Sequence, residues 1–457
     1  MLPAKTKGRR LKKGNLAALT AGIFTTWTSP VLSKLINTNR LNENPLGRSI
    51  YVIEESWIIS CLGLGAMLGP IVGGFLSDEI GRKWTLLSCV GIPFLTSLLV
   101  LAFSKSTFVY YVARFIGGLG CGNLFTVLPI YFGEIGQSAI RGGIISSVNI
   151  FISLGEMYGL CLGPFVSIKL FSLLCTIFPA IFLISFLFAS ESPYFYLTKG
   201  HIEKAEETMT RLHGDQLIVS SELSSTHTSL VLLNNRGDII RVIWKSKGYR
   251  KALLICFGLV AFQQLCGIYA IRSYVTIIFE ATGTKFSADF SAIIVGGVQI
   301  MASVITPFIV DVAGRRTLLL ISAIGMFCSE FLLGIYFYIN DKRIKGDEDK
   351  WGWAPFVLLV VYIVSYNLGF RPLPWTIVGE ILPIAVRSIS SMATAMVYWI
   401  LHFLVTNLFP VVVKAAGMGP TFWILSVLCI FAAIFSKFYL IETKGKTFVE
   451  IQEELNK

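Results

Sequence analysis

The stretches SDEIGRKWTLL (Ser77–Leu87) and VDVAGRRTLLL (Val310–Leu320) are two copies of one small charged cluster, each set between long apolar runs. Asp78, Gly81 and Arg82 of the first correspond to Asp311, Gly314 and Arg315 of the second. A glycine there lets the chain reverse tightly, and basic residues hold such a turn at the water side of a bilayer. An acid at the membrane edge is costly unless paired, so Asp78 and Asp311 each imply a partner. The recurrence points to two similar halves in one chain.

The composition requires a bilayer as solvent. The 457 residues are 54% hydrophobic and 14% charged, with a mean hydropathy of +0.70, and a soluble protein of this size needs more polar surface. Uncharged runs such as Trp84–Phe103 and Phe171–Ala189 have the length, about 20 residues, that spans the hydrocarbon core as helix. They do not alternate as barrel strands would. The reading is an all-α membrane protein of about twelve spans in two six-helix bundles. Spans are expected near 15–36, 56–77, 84–104, 107–131, 141–165, 168–189, 251–280, 288–312, 317–339, 353–380, 388–413 and 417–440. The bundles are 1–189 and 251–441, joined by a polar linker at 190–250 with short surface helices and followed by a tail at 442–457. The basic start, Lys5 to Lys13, does not look like a removable signal peptide.

Lys and Arg orient the spans. The N-terminus, the turns bearing Arg82, Lys83, Arg141, Arg315, Arg316 and Arg387, and the linker residues Arg241, Lys245, Lys247, Arg250 and Lys251 all fall on one side. Lys105, Lys169, Lys285 and Lys414 stand singly on the other; the 340–350 loop is an exception, diluted by acids. The richer side is cytoplasmic, which puts both termini and the linker in the cytosol. The formal charge of +12 follows from this bias, and no nucleic-acid partner is needed to explain it. The lipid bilayer is the implied partner, and the cell membrane the expected location.

Two further motifs repeat in the same order. PIYFGEIGQSAIRG (Pro129–Gly142) pairs Glu134 with Arg141, and PWTIVGEILPIAVRS (Pro374–Ser388) pairs Glu380 with Arg387. SESP carries Glu191 after the sixth span, and IETKG carries Glu442 after the twelfth. Parallel halves with a substrate path between them produce such a pattern. The acids and bases would form a gating network on the cytoplasmic side, closed while the outer side is open and broken when the inner side opens. Positive-inside anchoring alone would explain the basic residues but not the matched acids.

These residues carry a resemblance. GGFLSDEIGRK, RFIGGLGCG (Arg114–Gly122), PIYFGEI, QQLCGI (Gln263–Ile268), DVAGRR, PLPWTIVGEILP and ETKG resemble the sugar porters of the major facilitator superfamily over nearly the whole chain. ESWIIS (Glu55–Ser60) and TSPVL are most similar to the insect facilitated trehalose transporter branch. The resemblance implies alternating access and downhill movement of a sugar, trehalose or a hexose. Arg114 is counted with the gating residues.

Sugar chemistry suits part of the interior. A neutral polyol needs fixed donors and acceptors together with apolar contact for its CH faces. Gln263 and Gln264 are two amides in an apolar run, matching the pair with which the family holds sugar hydroxyls. Tyr274 falls in nearly the direction of Gln263 on a straight helix. Asn149, Tyr269 and Gln299 complete the polar candidates, and Trp375 and Trp399 supply flat faces. The alternative readings are interhelical hydrogen bonding for the glutamines and packing for the tryptophans. Several of these positions depart from the family: Asn149 replaces Gln, Tyr269 replaces Asn, Arg272 and Ser273 replace aromatic residues, and Tyr398 replaces Asn. Arg371 interrupts a Gly-and-Pro run, and Glu156 is an acid within the fifth span. Charges at mid-membrane normally pair, so Glu156 with Arg272 or Arg371 is the expected buried ion pair.

Enzyme chemistry has no support in the sequence. The four His lack metal-ligand spacing, no GKS or GKT of a nucleotide loop occurs, and the first span has no acid of the kind proton-driven porters carry there. No metal or cofactor is implied, and the nine Cys lie in or beside spans rather than in a disulfide framework. The function read from the sequence is facilitative sugar transport. The alternative is a non-transporting sugar sensor or a carrier of a charged solute.

Overall fold

The computed structural model describes residues 4–37, 44–135, 141–213, 247–281, 287–342, 351–382, 384–444 and 448–456. Within helices, the side chains of residues 5–12, Arg141, Asp311 and Arg387 lie outside the described residues, as do Arg241, Lys245, Lys285 and Lys345 altogether. The described chain is helical, and eleven of its helical segments are long and apolar enough to cross a membrane. This is a multi-pass membrane protein of two six-helix bundles.

The twelfth expected span is the first in order. It runs as Ala4–Thr26 and Thr28–Ile36, interrupted at Trp27. Pro30 cannot donate to the preceding turn, which weakens the helix there. The helix starts eleven residues or so before the expected 15, because a run of Lys and Arg is as good a helix former as an apolar run. The remaining spans are Val52–Glu79, Arg82–Phe103, Thr107–Ile135, Arg141–Leu162, Ile168–Phe186, Lys247–Leu265 with its continuations, Ala288–Ala313, Arg315–Asp341, Ala354–Leu368 with Leu373–Ile381, Ile384–Ala416 and Met418–Phe438. Short helices Pro193–Thr198 and Ile202–His213 follow the sixth span, and Phe448–Asn456 follows the twelfth.

Packing repeats as the sequence does. In the N-terminal half the second span lies along the fourth and the first along the fifth, and in the C-terminal half the eighth lies along the tenth and the seventh along the eleventh. Across the halves the second span packs on the eleventh and the fifth on the eighth. The first and fifth spans nearly touch by backbone: a Cβ on Gly155 would stand 1.9 Å from the Leu19 carbonyl oxygen. Dispersion contacts and close approach of small residues hold helices together where lipid removes the hydrophobic incentive. That approach fixes Glu156, the next residue, against the first span.

Two spans of the C-terminal half are broken at mid-membrane. The seventh stops at Leu265, turns at Gly267 (φ +77°), resumes over Ile268–Ser273, and bends again at Tyr274 before Val275–Glu280. The tenth unwinds between Leu368 and Leu373, where Gly369 and Pro372 flank Arg371. Irregular backbone at this depth survives only where protein or a cavity satisfies it.

Candidate functional site

A buried charge cluster joins the halves at these breaks. Arg272 Nη1 donates to Glu156 Oε1 at 2.7 Å, and Arg371 Nη2 stands 3.7 Å from Glu156 Oε2. The Gln299 amide donates to the same Oε2. Thr25 Oγ1 approaches Oε1 at 3.4 Å, and Thr26 Oγ1 donates to the Glu156 carbonyl at 3.1 Å. Arg371 is held on its other side by Asn367 Oδ1 at 3.0 Å, Ser303 Oγ at 3.2 Å and the Asn149 carbonyl at 3.4 Å. Ser153 and Ser303 hydroxyls meet at 2.9 Å across the same seam. The Arg272 guanidinium lies 5.7 Å from the centroids of Tyr269 and Tyr366. One carboxylate from the N-terminal half therefore sits between two guanidiniums of the C-terminal half. Such an arrangement is tolerable at this depth only because each charge is paired and hydrogen-bonded.

The glutamine pair divides its roles. Gln263 Nε2 donates to the Phe370 carbonyl at 2.7 Å and to the Arg371 carbonyl at 3.2 Å, satisfying backbone freed by the broken tenth span. Its Oε1 has no protein partner, and neither polar atom of the Gln264 amide has one, although that amide lies near the Tyr398 hydroxyl without hydrogen-bond geometry. Tyr269 and Tyr398 share a hydroxyl–hydroxyl bond of 2.6 Å. Trp375 packs edge-on against Tyr398 with centroids 5.5 Å apart, and Trp399 is fully buried between Phe125 and His402. A cavity of about 20 Å³ lined by Thr26, Glu156, Arg272 and Gln299 has room for about one water, whereas a pocket enclosing a sugar needs roughly 300 Å³ or more.

At the basic face the two halves repeat one network. In the N-terminal half Arg82 meets Glu134 at 3.0 Å and Asp78 at 3.6 Å, while donating to the Ser77 carbonyl; the Ser192 hydroxyl donates to Glu134. Glu191 accepts from the Lys83 and Ser192 backbone N–H groups at 3.0 and 2.8 Å. In the C-terminal half Arg315 meets Glu380 at 3.2 Å and donates to the Val310 carbonyl; the Thr443 hydroxyl donates to Glu380 at 2.5 Å. Glu442 accepts from the backbone N–H groups of Arg315 and Arg316, each at 3.0 Å. Burial raises the Glu442 pKa, but the backbone N–H donors of Lys444, Arg316 and Arg315 and the Arg315 charge outweigh it and hold the carboxyl below its ordinary value of 4.5. The glycines explain the fit: Gly81 (φ +97°) and Gly314 (φ +84°) bring backbone against these carboxylates, and a Cβ at Gly81 would lie 2.4 Å from Glu191 Oε2.

Among the described residues, every ion pair of this face joins helices of one half. Arg141, Asp311 and Arg387, three members of the network expected to tie the halves together, have side chains outside the described residues. Among the described residues, hydrogen bonds join the halves at the opposite face. Ser29 and Thr276 hydroxyls meet at 2.9 Å, Ser33 donates to Glu280 at 2.5 Å, and Asn407 donates to Ser60 at 3.0 Å.

Two expectations need correction. Arg114 is not in the basic-face layer: it is fully buried toward the opposite face, donating to the Ile58 carbonyl at 3.1 Å and the Phe24 carbonyl at 2.7 Å beside Trp27. It lies near the start of Thr107–Ile135, whereas Glu134 lies at the end, so one long helix separates them. Tyr274 does not share the direction of Gln263, because the seventh span breaks twice between them; it packs on Phe409 at 5.2 Å and approaches Glu55. Thr25, Ser303 and Asn367 join the central cluster without having been singled out, since small polar residues in apolar spans give no signal of the direction they face.

A family model described as Sugar (and other) transporter matches residues 15–455. Among curated relatives, the facilitated trehalose transporter Tret1 of Apis mellifera ligustica is 32% identical over 442 residues, covering 96% of this chain and 86% of that protein. Tret1 of Bombyx mori is 28% identical over 441 residues, covering 96% and 85%. Tret1 of Drosophila willistoni is 32% identical over 449 residues, and there the matched chain spans only 50% of the relative. The inward open conformation of the xylose transporter XylE from E. coli matches with a TM-score of 0.78 at 22% identity, covering 97% of this chain and 98% of that one.

Proposed function

This chain belongs to the sugar (and other) transporter family, and from that premise we propose that it is a facilitative carrier of a sugar, of the size class of a hexose or trehalose. The observation that carries the reading is the Gln264 amide: both polar atoms are buried beside Tyr398 and neither makes a hydrogen bond within the protein. Buried amides are almost always satisfied, and a hydroxyl, donor and acceptor at once, satisfies either end. Gln263 Oε1, the Tyr269–Tyr398 hydroxyl pair and the faces of Trp375 and Trp399 surround the same region and suit the hydroxyls and CH faces of a ring. Asn149 and Gln299 stand at its far side, Gln299 already committed to Glu156. Tyr274 is left out of this list on its position.

Transport proceeds by rocking of residues 1–189 against 251–441, with 190–250 as linker and 442–457 as tail. The basic face is cytoplasmic, both termini lie there, and the membrane is the cell membrane; the Lys and Arg bias supports the orientation. At that face Asp78, Arg82, Glu134, Arg141, Glu191, Asp311, Arg315, Arg316, Glu380, Arg387 and Glu442 act as the gate. Their matched pairs keep each half rigid while the halves separate. The chemistry is binding and release, not bond making, so no enzyme activity enters.

Uptake of labelled trehalose and glucose in oocytes tests this reading, with Gln264→Ala beside the wild type. Loss of the hydroxyl-matching amide should raise the half-saturating concentration by about thirtyfold, since each such bond contributes about 1 kcal/mol and Gln264 can make two. Saturable wild-type uptake that Gln264→Ala leaves unaltered would remove the amide from the site. Binding without uptake would instead favour a sensor.

A further inference from the structure

We infer that the central pocket selects a sugar bearing one carboxylate, held by Arg272 and Arg371, over a neutral sugar. This rests on the sugar-carrier reading above and names its substrate class.

The charge count is the first argument. Glu156 supplies one negative charge and Arg272 and Arg371 supply two positive ones, and the three side chains are 3%, 7% and 9% exposed. Each charge has a partner, yet the cluster as a whole carries a net charge of +1, and unbalanced charge at this depth is costly. A neutral sugar leaves that imbalance unchanged. A phosphate ester, with nearly two negative charges, reverses it. A monocarboxylate cancels it.

Geometry gives the second argument independently. Arg272 spends only Nη1 on Glu156; its Nε and Nη2 are buried and have no protein partner. That edge of a guanidinium is the one that takes a carboxylate through two parallel bonds. The two tyrosine rings beside Arg272 keep the fork in place. Arg371 is anchored through Nη1 on Asn367 Oδ1 and Ser303 Oγ, and its Nη2 stands 3.7 Å from Glu156. It therefore adds its charge beside an arriving anion while Arg272 supplies the fork. Arg272 also lines the water-sized cavity, which leaves a small space at the anion end.

The hydroxyl end is the Gln264 amide and the Tyr269–Tyr398 pair. Tyr269 links the two ends, since its hydroxyl meets Tyr398 and its ring lies against Arg272. A ring with hydroxyls on one side and a carboxylate on the other, as in a hexuronate, matches both.

The test is uptake of labelled D-glucuronate, D-glucose and trehalose into liposomes containing the purified full chain, with a thermal-shift measurement for each sugar. Glucuronate should be taken up with a specificity at least about tenfold above glucose, and should raise the melting temperature more. Arg272→Gln should lower that ratio at least about tenfold, and Arg272→Lys, which keeps the charge but not the fork, should recover part of it. The wild-type ratio needs no variant to fold. Glucose or trehalose transport with glucuronate neither moved nor competing would overturn this inference and leave the sugar-carrier reading standing. An uptake ratio unchanged in Arg272→Gln would overturn it as well. Failure of all three sugars to move or bind would remove both.

Discussion

Glu156 is the residue on which the seam between the halves turns. It holds Arg272 at 2.7 Å, lies 3.7 Å from Arg371, and accepts from Gln299, so three spans of the C-terminal half converge on one carboxylate of the fifth span. Replacing it by Gln keeps the shape and removes the charge, leaving two guanidiniums buried without a counter-ion. Breaking a buried pair in this way costs about 3–5 kcal/mol. Glu156→Gln should therefore lower the thermal unfolding midpoint of the purified protein clearly, and an unchanged midpoint would mean that the guanidiniums find water or lipid phosphate instead. Much of this cluster was legible in the sequence, because a charge inside an apolar span is rare enough to stand out. Glu156, Arg272 and Arg371 announce themselves that way. The partners that fasten them do not: Thr25, Ser303 and Asn367 look like any small polar residue of a membrane helix, and only the packing shows which way they face. Arg114 misled for the converse reason. It belongs to a motif rich in turn-like glycines, yet those glycines serve helix contact, and the Arg satisfies carbonyls on the far side of the membrane.

At the scale of elements, the functional information lies in the breaks. Apolar length locates a span but says nothing of where it bends, so the seventh span reads as one run and folds as three pieces. Gly267 makes the first break possible at φ +77°, and it also sits against Leu425, whose Cδ1 would be 2.7 Å from an added Cβ. Gly267→Ala should destabilise the protein by about 1–3 kcal/mol, the cost of a side chain in a left-handed conformation, with further strain from Leu425. Because the break sets Gln264 and Arg272 relative to one another, uptake should fall with stability; thermal unfolding and transport measured together check this, and a variant with wild-type values for both would show the break to be dispensable. The tenth-span break was better signalled, since Gly369, Pro372 and Pro374 cluster around Arg371. The interruption of the first span at Trp27 was not, as TWTSP carries its proline three residues further on. The repeated turns at Gly81 and Gly314 were legible in full because they need three residue types at fixed spacing, and both halves show the same carboxylate resting on the same turn.

For the whole molecule, the described hydrogen bonds between the halves fall at mid-depth and at the face opposite the basic one. At the basic face the ion pairs among the described residues stay within a half and brace each bundle. At the opposite face Ser29 meets Thr276 and Ser33 meets Glu280, and at mid-depth Glu156 spans the seam. The halves are joined at the face opposite the basic one, and on the proposed alternating-access reading those contacts part and reform in each cycle. Twin bundles and their order could be read from the repeats, but the state of the gate could not, because a sequence holds both conformations equally. The central claim is that the halves must separate at Ser29 and Thr276 in every cycle. Its most direct test is the double variant Ser29→Cys with Thr276→Cys, positions whose hydroxyls stand 2.9 Å apart, oxidised to a disulfide and assayed for sugar uptake beside each single variant. The account predicts that uptake stops in the oxidised double variant alone and returns on reduction. Undiminished uptake with the disulfide formed would contradict it.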